Sequence, residues 1–147
     1  MTERGDDTPA NPAHRISVGC ATCGERAETA ELVPAGVPHP KAGSTAVHEL
    51  AIYTSFASAG SLIVDGVSGK SAWAIGAQQF DQIARLFDRG DWRGLYQIDP
   101  EWVSTYCPRC QAHYCSAHWR QIVDFDDGFY DCTRGCCPNG HWRVLAD

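Results

Sequence analysis

Four short pairs of metal-ligating residue types constrain this chain more than any other feature: Cys20/Cys23, Cys107/Cys110, Cys115/His118 and Cys137/His141. The first three pairs have two residues between the ligands and the last has three. That spacing lets one tight turn aim two side chains at a single ion, so each pair fills half of a tetrahedron. Thiolates mixed with imidazoles suit the borderline softness and tetrahedral demand of Zn2+. Eight ligands close two sites completely, whereas a catalytic zinc keeps a position open, so the expectation is two structural ions and no enzyme.

Cysteines used in spaced pairs are metal ligands more often than disulfides in a reducing compartment. The opening stretch, MTERGDDTPANPAHR, carries no apolar signal region. No run approaches the ~18 apolar residues of a membrane span. The expected location is therefore cytoplasmic, without membrane contact.

Cys-Pro opens both CPRC and CPNGH, which predicts the same kind of turn used twice. This favours Cys137 over its neighbour Cys136 as the ligand. Cys132 reads as a core thiol, and His14, His39, His48 and His113 stand outside the pairs. Four pairs can combine in three ways. Sequential linkage gives one four-thiolate site and one two-thiolate, two-imidazole site. Interleaved linkage gives two sites of three thiolates and one imidazole. The third scheme puts Cys107, Cys110, Cys115 and His118 on one ion. Cys110 and Cys115 are five residues apart, about 16 Å when extended, so the second and third pairs can serve different ions.

Around the pairs, residues 1–15 are polar and proline-containing and read as a disordered tail. Residues 16–147 read as one zinc-binding domain of the α+β class, with 34–102 as a β/α insertion between ligand pairs. A strand is predicted to end near Val33, and a Pro/Gly loop follows it. VHELAIYTSF and SLIVDGV have the β-branched and aromatic content of strands, forming a hairpin around Ala57–Gly60. Trp73, Ala77, Phe80, Ala84 and Phe87 recur at helical spacing, and Arg89-Gly90 ends that helix. After His118, WRQIV is assigned to a short helix, and DFDDGFYD to a hairpin with Asp127-Gly128 at its turn.

Two other signals have bland readings. Gly69-Lys70-Ser71 lacks the first glycine of a phosphate loop, because Val64 stands there, so it reads as a strand-to-helix turn. Asp124, Asp126, Asp127 and Asp131 lack the closing Glu of a calcium loop and read as a solvated turn.

The ligand framework, CATC, then CPRC closely followed by CSAH, then WRQIV, then CPNGH, resembles the RING-like, treble-clef cross-brace family. The resemblance covers residues 20–23 and 107–143. It implies a small two-zinc core, interleaved ligands, and a protein-interaction role in a ubiquitin-like pathway. It further implies a docking surface for a ubiquitin-conjugating enzyme built from Ala21, Trp119 and Pro138. The long segment between the first two pairs, the histidine placement, the small Ala21 and Trp142 all depart from that family.

The function expected is a non-enzymatic interaction module with a protein partner. A zinc-ribbon protein of nucleic-acid machinery is the competing reading, resting on Arg109, Arg120, Arg134 and Arg143. Against it stands a net charge of −6, from 18 acidic and 12 basic residues, where nucleic-acid binding draws its affinity from phosphate neutralisation. A thiol-based redox or metal sensor would rest on Cys132, Cys136 and Cys137.

Overall fold

The computed structural model describes residues 14–35 and 59–147. Those residues form a mixed structure of small antiparallel sheets with two α-helices. Four strands form a meander in the order β1-β2-β3-β4: β1 His14–Gly19, β2 Arg26–Pro34, β3 Gly60–Gly66 and β4 Gly69–Ile75. His14 and Arg15 thus open the first strand, where composition had placed them in the tail. β3 pairs directly with β2, and β4 with β3, so the segment read as an insertion continues the sheet that carries the first ligand turn.

The sheet buries one face under α1 (Ala77–Arg89), whose Ile83, Leu86 and Phe87 meet Ala30, Leu32, Leu62 and Ile75. The alternation of inward Ala30 and Leu32 along β2 is the period-2 pattern of a half-buried strand. Trp73 shares the helical spacing of Phe80 and Phe87, yet it belongs to β4 and pairs with Leu62. It packs against the same core from the sheet, which is why a single periodicity ran through both elements. Lys70 and Ser71 lie on β4 as well, so the turn at Gly69 joins two strands rather than a strand and a helix.

α1 ends at Gly90, whose left-handed backbone (φ 62°) returns its N–H to Phe87 while Asp91 N–H reaches Leu86. Asp91 then caps α2 (Trp92–Ile98) by accepting from Gly94 N–H at 2.9 Å. A 3-10 turn, Pro100–Val103, leads into β5 (Tyr106–Cys107), which pairs with β6 (Ala112–His113).

The last sheet has the order β7-β8-β9, with β7 Arg120–Asp126, β8 Phe129–Cys136 and β9 Trp142–Ala146. WRQIV is therefore not helical. Arg120 to Val123 pair with Cys136 to Thr133, and the tertiary pairing overrides the local propensity. Asp127 (φ 51°) and Gly128 (φ 84°) form the hairpin turn where the sequence places it. Among the described residues, only the root of the sheet is covered, where Leu145 and Gly135 meet Trp119. Every large hydrophobic side chain that is exposed among the described residues lies in this sheet.

The predicted strand VHELAIYTSF, with His39 and His48, lies outside the described residues. No helix among the described residues is long and apolar enough to cross a membrane.

Candidate metal centres

Each ligand pair sits in its own turn. Cys20 and Cys23 occupy the turn between β1 and β2, closed by Gly24 N–H to Cys20 O (2.9 Å) and Cys20 N–H to Glu25 O (2.7 Å). Cys107 and Cys110 occupy the β5–β6 turn, closed by Gln111 N–H to Cys107 O (2.8 Å). Cys137 and His141 lie between β8 and β9, closed by Gly140 N–H to Cys137 O (2.9 Å). These three turns share one device. Gly24, Gln111 and Gly140 take φ values of 78°, 53° and 88°, reversing the chain just past the first ligand's loop. The third pair differs, with Cys115 and His118 in a single turn closed by His118 N–H to Cys115 O (2.9 Å).

The fold brings these turns together two by two. Cys20, Cys23, Cys115 and His118 converge in one cluster, and Cys107, Cys110, Cys137 and His141 in another, each with all its ligand atoms within 4.8 Å of one another. First is joined with third and second with fourth, so of the three pairing schemes the arrangement is the interleaved one. Cys137 enters the second cluster, while Cys136 is buried beside it with its thiol toward the Cys137 carbonyl. Cys132 stands outside both clusters, half-buried, with its thiol toward Asp124.

Most of the short distances within each cluster match those around a tetrahedral ion, with Cys115 Sγ–His118 Nδ1 at 3.2 Å and Cys110 Sγ–His141 Nδ1 at 3.3 Å somewhat closer. With Zn–S near 2.3 Å and Zn–N near 2.05 Å, a regular tetrahedron has edges of about 3.8 Å between sulfurs and about 3.6 Å between sulfur and nitrogen. In the first cluster Cys23 Sγ to Cys115 Sγ is 3.8 Å and Cys20 Sγ to His118 Nδ1 is 3.6 Å. In the second, Cys110 Sγ to Cys137 Sγ is 3.8 Å, and His141 Nδ1 lies 3.5 Å from both Cys107 Sγ and Cys137 Sγ. A disulfide would need sulfurs at ~2.05 Å. None of the eight cysteines is in a disulfide.

Backbone and side-chain donors surround the sulfurs. Thr22 N–H points to Cys20 Sγ and His141 N–H to Cys137 Sγ, both at 3.4 Å. Asn139 Nδ2 donates to Cys110 Sγ at 3.2 Å and to the Tyr114 hydroxyl at 3.3 Å. Asn139 first, and the Tyr114 hydroxyl after it, lower the Cys110 thiol to about 6. Burial opposes ionisation of Cys20, yet backbone amides at Cys115, Cys23 and Thr22 outweigh it and hold that thiol near 6. Burial pushes Cys107 up to about 11, as for a sulfur that needs a cation to ionise.

A buried polar chain ties the two-centre region to the four-stranded sheet. Glu28 of β2 is fully buried, and its Oε1 accepts from Thr105 N–H (3.2 Å) and Thr105 Oγ1–H (2.7 Å). With its proton given to Glu28, the Thr105 hydroxyl accepts from His113 Nδ1 at 2.9 Å. The Thr105 carbonyl in turn accepts from Tyr114 N–H and from Trp119 Nε1. Ser104 contributes Oγ to Val67 N–H at 3.0 Å. His113 is therefore structural. Its ring packs against Trp92 and Tyr106, and burial pushes it down to about 4.

Two surfaces expected from sequence change character here. Trp119 is only 3% exposed and hydrogen-bonded inward, so it is not part of an open docking groove with Ala21 and Pro138. Arg143 is turned inward too, donating to the carbonyls of Val103, Tyr106 and Pro100 and lying over the Tyr96 ring. Arg134 is paired with Asp124. Two of the four arginines that suggested a basic patch are thus committed within the chain.

Residues 10–147 match the model of a family described as Domain of unknown function (DUF8328). The chain belongs to that family. No curated protein and no solved structure matches it. Sequence reasoning missed the Glu28–Thr105–His113 chain and the Asn139 and Tyr114 donors around Cys110. One signal for the former was present: Glu28 shares the inward parity of Ala30 and Leu32, which puts a carboxylate on the core side of a strand.

Proposed function

We propose that this chain is a non-catalytic module in which two structural zinc ions hold a β-rich surface for a protein partner. The observation that carries this reading is the pair of Cys3His clusters, each with its four ligand atoms within 4.8 Å of one another. Four protein ligands leave no position for water or substrate, and a bound ion would supply cross-linking rather than Lewis-acid chemistry. The interleaved linkage supports the same reading, because each ion would tie together segments far apart in sequence, Cys20 with His118 and Cys107 with His141.

The cross-brace order of ligands is the feature shared with RING-like adaptors. The buried Trp119 and the strand that follows the third pair speak against a docking surface of that kind, so the reading favours an interaction module outside a ubiquitin-like pathway. Arg143 and Arg134, both engaged inside the chain, weaken the nucleic-acid alternative. A redox-sensor reading finds only Cys132 outside the clusters with partial exposure, since Cys136 is buried.

The test is cobalt substitution. A closed Cys3His site gives tetrahedral d–d bands that added azide or cyanide leave unchanged. Bands that shift on adding those anions would show an open coordination position and overturn the structural reading.

A further inference from the structure

The unpartnered face of the β7-β8-β9 sheet has an order of its own. Pairing and strand alternation place Arg120, Cys136 and Trp142 in a row at the root, then Ile122, Arg134 and Val144, then Asp124 and Cys132, and finally Asp126 and Phe129 at the tip. Arg120 and Arg134 lie over the Trp142 ring, 5.7 and 5.3 Å from its centroid. Phe129 is 76% exposed and Trp142 45% exposed. No element of the described chain covers this face.

Charge is polarised along the face. Asp124 and Arg134 neutralise one another in the middle. What remains is the Arg120 cation beside an aromatic at the root, and Asp126 beside an aromatic at the tip, joined there by Asp127 and Asp131. The two ends are complementary in both sign and shape, and they are separated by about 20 Å along the strands.

We propose that this face is where two copies of the chain associate, face to face about a two-fold axis that lies between the two sheets, parallel to them and perpendicular to the strands. Such an axis exchanges the ends. The tip row of one copy lies over the root row of the other, so Phe129 meets the second copy's Trp142 and Asp126 meets its Arg120, twice over. The two middle rows cover each other with apolar contact from Ile122 and Val144. An isologous interface requires a patch complementary to itself after rotation, which a sheet that is basic at one end and acidic at the other satisfies. A heterologous partner would need only one of the two signs, and a nucleic acid would be repelled by the acidic tip. The proposal rests on the module reading, since the ligand turns at Cys115–His118 and Cys137–His141 anchor the root of this sheet.

The test is sedimentation equilibrium across protein concentration on the full chain, with zinc content and near-UV circular dichroism read on each sample. The wild type is expected to pass from monomer to dimer with rising concentration. Phe129→Ser should weaken the dimer by about tenfold or more, because an aromatic anchor that the two-fold uses twice is removed. Arg120→Asp and Asp126→Arg should each weaken it, and the double variant carrying both should recover it, since the swapped charges face each other again. A wild type that stays monomeric up to about 100 μM while keeping its metal and its dichroism overturns the proposal and leaves the module reading standing. A dimer indifferent to Phe129→Ser, or charge variants that the double change does not rescue, also overturns it. A wild type lacking zinc overturns the module reading instead.

Discussion

Glu28 shows how much a single side chain can couple the halves of this molecule. Burial raises its carboxyl from the ordinary 4.5 to about 8, and the hydrogen bonds from Thr105 only partly offset that. Folding therefore favours the protonated form. The stability this contributes is complete below about pH 4.5 and is lost progressively until the folded group ionises near 8. Between about pH 6 and pH 8, where the zinc ligands stay deprotonated, denaturant unfolding of the wild type should weaken by up to about 1.4 kcal/mol per pH unit from this group. Glu28→Gln should flatten that slope. An unchanged slope would mean that Glu28 is ionised in the folded chain. At the second centre, Asn139→Ala removes the side chain that touches Cys110 Sγ. Zinc should leave that centre roughly 10-fold more readily, as losing a donor to a ligand usually costs. Competition against a chromogenic chelator reads this directly, with the first centre as internal control.

At the scale of elements, the ligand turns were legible from sequence because each is local: two ligands, a fixed spacing and a reversing residue such as Gly24 or Gly140. How the turns combine was not legible. Cys20 finds His118 only because β1–β2 and the Cys115 turn are brought together by the sheet and by the Ala21 N–H to His113 O bond at 2.8 Å. The same limit explains WRQIV, which is a strand because β8 lies beside it, and Trp73, whose spacing matched a helix although its partner is Leu62 across a ladder. The hairpin at Asp127-Gly128 was readable, since its turn chemistry is contained in two residues. Two predictions belong here. His118→Ala and His141→Ala should each release a different ion, read as loss of one zinc per chain in each variant and further loss when both are changed. Gly135→Ala would drive a Cβ into Leu145 and Trp119 where β8 crosses the root of its sheet. It should destabilise the protein by about 1–3 kcal/mol in thermal or denaturant unfolding.

On the scale of the whole molecule, two cores meet at Thr105. One is aliphatic and aromatic, between the four-stranded sheet and α1; the other gathers Cys20, Cys107, Tyr114, Trp119, Cys137 and Leu145 around the two centres. The second core has few large apolar side chains, and a metal cross-link at each centre would supply on the order of 10 kcal/mol to folding. Chelation should therefore abolish the tertiary dichroism of the tryptophans in that half. Everything rests on the interleaved centres being filled, so zinc per chain, by elemental mass spectrometry of protein purified without added metal, is the most direct test. Two zinc ions per chain is the predicted result; one or none would contradict the account.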